Sequence, residues 1–181
     1  DYYASRGLGD VYKRQVFEFM NDPAVPYLDQ QYMLGDALLV APVFREDKVA
    51  QYYLPEGTWT ELLTGETKEG GRWYKGTYDY FSMPLYIREN SIVVRGNCDT
   101  RPDYDYADHA TVCVYQLKDA AETKVPDVHG NTVFTVKAVK EGDAVKVSVE
   151  GAHTELKVEV FVGNEKKEAV LAADADEVVV A

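Results

Sequence analysis

Apolar and polar residues alternate with a period of two along much of the chain. The alternation is cleanest in two stretches. Val145, Val147 and Val149 share one side, with Lys146, Ser148 and Glu150 on the other. Leu156, Val158, Val160 and Val162 repeat the pattern. Near the front, Val49, Gln51 and Tyr53 alternate with Ala50, Tyr52 and Leu54. This period predicts strands with one wet face. Further strands are predicted in TWTELL (58–63), GGRWYKGTYDYF (70–81), SMPLYIRENSIVVRG (82–96), TVCVYQL (111–117), ETKVPDVHGNTVFTVKAV (122–139) and DEVVVA (176–181). Turn chemistry at Pro55-Glu56-Gly57, TGET (64–67), Glu89-Asn90 and 127–131 separates them, which argues a sandwich. One run breaks the alternation. Leu38-Leu39-Val40 is continuously apolar between Gly35-Asp36 and Pro42. That suits a strand buried on both faces, as in a parallel sheet, with Pro42 ending the ladder.

Composition refines this picture. The 181 residues suffice for one ordinary domain or two small ones, and 46% hydrophobic with 28% charged is a normal globular balance. NCDTRPDYDYADHA (97–110) is a polar, acidic loop, and beyond it Val, Lys and Glu replace the aromatics; the boundary between two sandwiches is expected there. A net charge of −12 argues against nucleic acid or an anionic membrane as partner. No apolar stretch approaches the roughly 18 residues of a membrane span. Cys98 and Cys113 do not make a disulfide framework, and Cys113 reads as a small buried hydrophobe.

QYMLGDALLVAPVF (31–44) resembles the segment that closes the catalytic (β/α)8 barrel of glycoside hydrolase family 31. YYLPEGTWTELLTGETKEGGRWYKGTYDYFSMPLYIRENSIVVRG (52–96) resembles the β-sandwich after that barrel, in wording similar to the α-xylosidase and α-glucosidase branch. The resemblance covers about residues 16 to 118, and the rest follows by position and pattern. It implies a mainly β chain: the last strands of the barrel over 16–43, then antiparallel sandwiches over 44–98 and 99–181. Two barrel strands alone leave bare edges, so a chain trimmed to 44–181 is expected to behave better than 1–181. Residues 1–15 hold RGLGDVYKRQ, which resembles translated sequencing-adapter sequence, and are set aside as non-native; a real helix or tail is the alternative.

A retaining glycosidase needs two carboxyl groups about 5 Å apart. In the family both are aspartates on earlier barrel strands, in a Trp-x-Asp-Met-Asn-Glu-like motif and a Gly-Asp-Asn-like motif after an arginine. Neither context occurs here, so no catalytic residue is assigned. Asp36 precedes its strand and reads as a turn or capping residue. Glu18 and Asp22 stand where the resemblance puts the catalytic side, as candidates for the pocket rim or as a loop salt bridge and cap. Asp103, Asp105 and Asp108 invite calcium, but Ala107, Asp108 and Val114 fail an EF-hand loop. His109, His129 and His153 lack ligand spacing, and there is no Gly-x-Ser-x-Gly elbow. The resemblance implies no metal or organic cofactor. Trp59, Trp73, Tyr74, Tyr78, Tyr80 and Phe81 either fill the sandwich core and its seam with the barrel, or form a sugar platform.

The resemblance implies a parent that hydrolyses terminal α-linked xylose or glucose with retention, acting on α-linked oligosaccharides. This chain is then inactive alone, and its sandwiches cover the barrel's flank, shape a domain interface or build a homo-oligomer. The alternative is a free-standing β-sandwich that binds glycan or a cell-surface partner.

Overall fold

The structure, a computed structural model, describes residues 19–24 and 28–181. The adapter-like segment 1–15 and Glu18 lie outside the described residues. The described residues form fifteen strands and no helix, in two compact units that divide between Arg88 and Glu89.

In the first unit, β1 (Tyr32–Leu34), β2 (Leu38–Val40), β7 (Leu85–Arg88), β4 (Thr58–Glu61) and β5 (Thr67–Glu69) make one sheet in the order β1-β2-β7-β4-β5. β3 (Val49–Leu54) and β6 (Arg72–Thr77) form a second, two-stranded sheet. Met33, Leu39, Ala41, Trp59 and Tyr86 pack with Ala50, Tyr52 and Leu54 as one core. The alternation of β3 thus does what its pattern predicts: Ala50, Tyr52 and Leu54 turn inward.

β2 departs from expectation. It pairs antiparallel with both β1 and β7, through Met33↔Leu39 and Leu39↔Tyr86. Residues 32–40, read from sequence as the end of a parallel barrel, are two strands of this antiparallel sheet in the described structure. The physical reason is that a three-residue apolar run demands burial and two hydrogen-bonded neighbours but carries no information on their direction. A central antiparallel position meets both demands.

In the second unit, β10 (Ala120–Pro126), β11 (Thr132–Glu141), β12 (Ala144–Gly151) and β15 (Glu177–Val180) form one sheet. β14 (Glu165–Leu171), β13 (Leu156–Val162), β9 (Thr111–Tyr115) and β8 (Ser91–Arg95) form the other. Their inner faces share a core of Val112, Val114, Val136, Val147, Val158 and Leu171, among others. Pairing is antiparallel except between β9 and β13, which run parallel. The two units divide upstream of the loop 97–110, because β8 pairs with β9 from Ser91↔Tyr115 to Arg95↔Thr111. The loop therefore connects two strands of one sheet. Asn90, at φ 55, turns the chain into β8, and its side chain takes the N–H of Lys118 and donates to Ala120 O.

Val145, Val147 and Val149 are buried, as are Leu156, Val158 and Val160; Val162, the last residue of its strand, is exposed. β14 had no sequence signature. It is an edge strand with one fully buried residue, Leu171, and its Lys and Glu side chains leave no apolar stripe to detect.

Candidate functional site

The aromatic residues sort into three environments. Trp59, on β4, is fully buried and donates its indole N–H to Pro55 O at 2.8 Å. Tyr52 and Tyr86 are buried, stacked at 5.4 Å, with hydroxyls 2.8 Å apart. Tyr78 donates to the Tyr52 hydroxyl at 3.1 Å. Lys68 reaches in from β5, donating to the hydroxyls of Tyr86 at 2.5 Å and Tyr52 at 3.3 Å. Its ammonium also lies 5.0 to 6.0 Å from the ring centres of Tyr86, Tyr74 and Tyr52. Burial pushes both phenols far up, so neither supplies a nucleophile or base near neutral pH. This cluster satisfies polar atoms inside the sandwich and matches the core reading of the aromatics.

Tyr80 and Phe81 are the opposite case, 93% and 88% exposed and edge-to-face at 5.4 Å. The turn that carries them is held by Asp79, which accepts from Ser82 Oγ and Phe81 N.

Trp73 is intermediate, at 50% exposed. It faces Tyr53 across β3 and β6, with ring centres 5.6 Å apart. Together with Leu28, Asp29, Gln30, Gln31 and Gln51 it lines a cleft of about 230 Å³. Gln31 is buried and clamps the cleft wall to the free edge of β3: Nε2 donates to Tyr53 O and Oε1 accepts from Tyr53 N, both at 2.7 Å. The sequence marked Trp73 but not its amide neighbours, since Gln30 and Gln31 are separated from Gln51 and Trp73 along the chain and only the β3–β6 pairing and the Gln31 hydrogen bonds gather them.

Asp22 accepts from Ala24 N at 3.0 Å, the geometry of a turn cap. It is not brought beside a second carboxylate in any cleft described here. Asp36 lies in the turn between β1 and β2. In the acidic loop, Asp105 caps Ala107 N and Asp108 pairs with His109 Nδ1 at 2.7 Å. Among the described residues no three His, Cys, Asp or Glu side chains converge as a metal site. Both cysteines are free; burial pushes the Cys113 thiol up to about 11, whereas the hydrogen bond with Thr100 lowers that of Cys98.

The second unit also holds a carboxylate that alternation placed in water. Glu159 is 4% exposed on β13. It takes Arg95 at 2.7 Å, Lys157 at 3.0 Å and Lys166 at 3.6 Å, and the Cys113 thiol at 3.7 Å. Along its row, Cys113 and Val93 lie level with it on β9 and β8 and supply little polarity, while Glu168 lies level with it on β14 and shares Lys157 and Lys166. Burial raises its pKa, but the Lys157 hydrogen bond and the charges of Arg95 and Lys166 outweigh that and hold it below the ordinary value. The folded value is the lower one. Its stabilisation is therefore present above the unfolded value of about 4.3 and is lost as pH falls through the folded value. In urea titrations the second unit should weaken over that acid range. Glu159→Gln should flatten the pH dependence and cost about 1–3 kcal/mol at neutral pH, because Arg95 loses its carboxylate partner while Lys157 and Lys166 keep only Glu168.

Two family profiles match the chain in succession. That of the glycosyl hydrolase family 31 C-terminal domain matches residues 10–93, and that of the C-terminal domain of alpha-xylosidase YicI matches residues 105–181. The alpha-xylosidase XylQ of Lactiplantibacillus pentosus is 31% identical over 168 residues, which is 90% of this chain and 22% of XylQ. Alpha-glucosidase 2 of Bacillus thermoamyloliquefaciens is 26% identical over 82% of this chain and 19% of its own length. Among solved structures, a GH31 alpha-xylosidase from Xanthomonas citri superposes with a TM-score of 0.71 at 27% identity, over 95% of this chain and 22% of that one. The chain thus spans about a fifth of the length of the curated relatives it matches.

Proposed function

The chain belongs to glycoside hydrolase family 31 and corresponds to the C-terminal region of its members, and from that premise we propose that it serves an enzyme hydrolysing terminal α-linked xylose or glucose with retention of configuration. The observation that carries this reading is the succession of the two profiles, 10–93 and then 105–181, in one chain. The chemistry would come from a carboxylate pair about 5 Å apart, one attacking the anomeric carbon and the other protonating the leaving oxygen. Two clefts among the described residues do not offer such a pair. The one beside Trp73 has a single carboxylate, Asp29, and a second, of about 330 Å³ beside Tyr104 and Tyr106, has none.

The part played by residues 19–181 is then structural. Two sandwiches with separate cores give rigid bodies able to cover a catalytic domain. Tyr80 and Phe81 are rings of the kind such a covering face would bury. The whole protein's substrate is an α-linked oligosaccharide.

The test is activity. The protein extended upstream through its complete reading frame should hydrolyse 4-nitrophenyl α-xyloside or α-glucoside, and proton NMR should show the α-anomer formed first. Residues 1–181 alone should give no turnover above buffer. Release of nitrophenol by the short chain, surviving removal of host glycosidases, would contradict the assignment of catalysis to another part of the enzyme. An inactive extended protein would contradict the family activity itself.

A further inference from the structure

We propose that the cleft beside Trp73 binds one neutral sugar ring of an α-linked oligosaccharide. A pyranose has an apolar C–H face and a rim of hydroxyls, and the cleft offers a counterpart to each. Trp73 presents a half-exposed indole, backed by Tyr53 at 5.6 Å, so its ring is held in place rather than free to swing. Tyr53 in turn is buried under Leu28. Gln30, Gln51 and Asp29 line the rim with amide donors, amide acceptors and a carboxylate. Groups of that kind read hydroxyls, which both donate and accept.

The geometry is built in advance. Pairing of Tyr53 with Trp73 and of Gln51 with Lys75 puts Gln51, Tyr53 and Trp73 on one face of the two-stranded sheet. The opposing wall, 28–31, is fastened by the two 2.7 Å hydrogen bonds of Gln31. That side chain takes the place of a neighbouring strand at Tyr53, so little ordering remains for a ligand to impose. At about 230 Å³ the cleft falls below the range of drug-sized pockets and suits a single ring. Its lining contains one carboxylate and no cation; Lys75 stands opposite Gln51 on the same face, so anion binding is the outcome that the salt titration excludes.

The choice of an α-linked ligand rests on the proposed parent activity; the cleft and its chemistry do not. The 181-residue chain is titrated with isomaltotriose and with methyl α-D-xylopyranoside, followed by tryptophan fluorescence and saturation-transfer NMR. Saturable binding of millimolar affinity is expected, unchanged in about 0.5 M salt, where charge-driven contacts would be screened. Trp73→Ala should weaken it about tenfold, from loss of the stacking face. Gln51→Ala should weaken it several-fold, and both variants should keep the parent's thermal melt. Trp73→Phe, which retains an aromatic face, should bind more tightly than Trp73→Ala. The proposal is overturned if neither sugar binds, if Trp73→Ala binds as well as the parent, or if salt abolishes binding. Failure here alongside hydrolysis by the extended enzyme overturns the cleft alone; binding here alongside an inactive extended enzyme overturns the parent activity alone.

Discussion

A chain that begins at Phe44 is expected to lose the cooperative unfolding of its first unit. Removing residues 1–43 takes away β1 and β2, and with them Met33, Leu39 and Ala41 from a core they share with Trp59, Tyr52 and Tyr86. Each large apolar side chain concerned accounts for roughly 1.5–3 kcal/mol of burial. The wall they leave bare on Trp59 and Tyr86 adds to that. The backbone loses as well. β7 would lose its pairing with β2 through Leu85, Tyr86 and Ile87, and the bonds from Arg88 N to Ala37 O and from Ala41 N to Pro84 O would go. The sum approaches the whole stability of a small domain, about 5–15 kcal/mol. Urea unfolding followed by near-ultraviolet circular dichroism should show a single transition for 44–181, that of the second unit, and the truncated chain should bind a hydrophobic dye. Two undiminished transitions would mean that the first unit closes without β1 and β2. This expected result reverses the ranking that the sequence suggested, in which trimming to Phe44 improves behaviour.

Trp59→Ala should be the most damaging single substitution in the first unit. The ring is fully buried, contacts Phe19 at 6.2 Å between centres, and holds the Pro55 carbonyl at 2.8 Å. Substitutions of this class cost about 3–5 kcal/mol, combining lost transfer energy with a cavity. Here the Pro55 carbonyl also loses its indole donor. The same carbonyl is crowded by Gly70, where an added Cβ would stand 1.7 Å from Pro55 O, so the loop has little room to collapse into the space. Circular dichroism should place the urea midpoint of the first unit well below that of the parent, with the second unit unmoved. Trp59→Phe should recover part of the loss. A midpoint within error of the parent for Trp59→Ala would show that the ring is not part of the core.

The candidate cleft was half legible. Trp73 stood out as an aromatic on a strand, but its neighbour Tyr74 on the same strand turns inward to the Lys68 cluster, and sequence treated the two alike. Glu159 was misplaced for a related reason. Alternation assigns sides of a strand, and it equates the side away from the core with water. At Glu159 that side is closed by Arg95, Lys157 and Lys166 from three strands. Such closure depends on which strands come together.

By itself the sequence determined that this chain is built from strands, where most of them run, and which residues face the cores. Those properties follow from local periodicity: a Val at every second position of β12 must lie on one face, whatever the partner. It also carried the family, through the ordered wording of 31–44 and 52–96. Tertiary structure alone decided the pairings. Backbone hydrogen bonds are the same for any side chain, so nothing within LLV states that β2 has antiparallel neighbours, nothing within SIVVR assigns β8 to the second unit, and nothing within VCV announces a parallel partner in β13. Those choices are settled by which apolar faces can be buried together at once, a property of the whole chain.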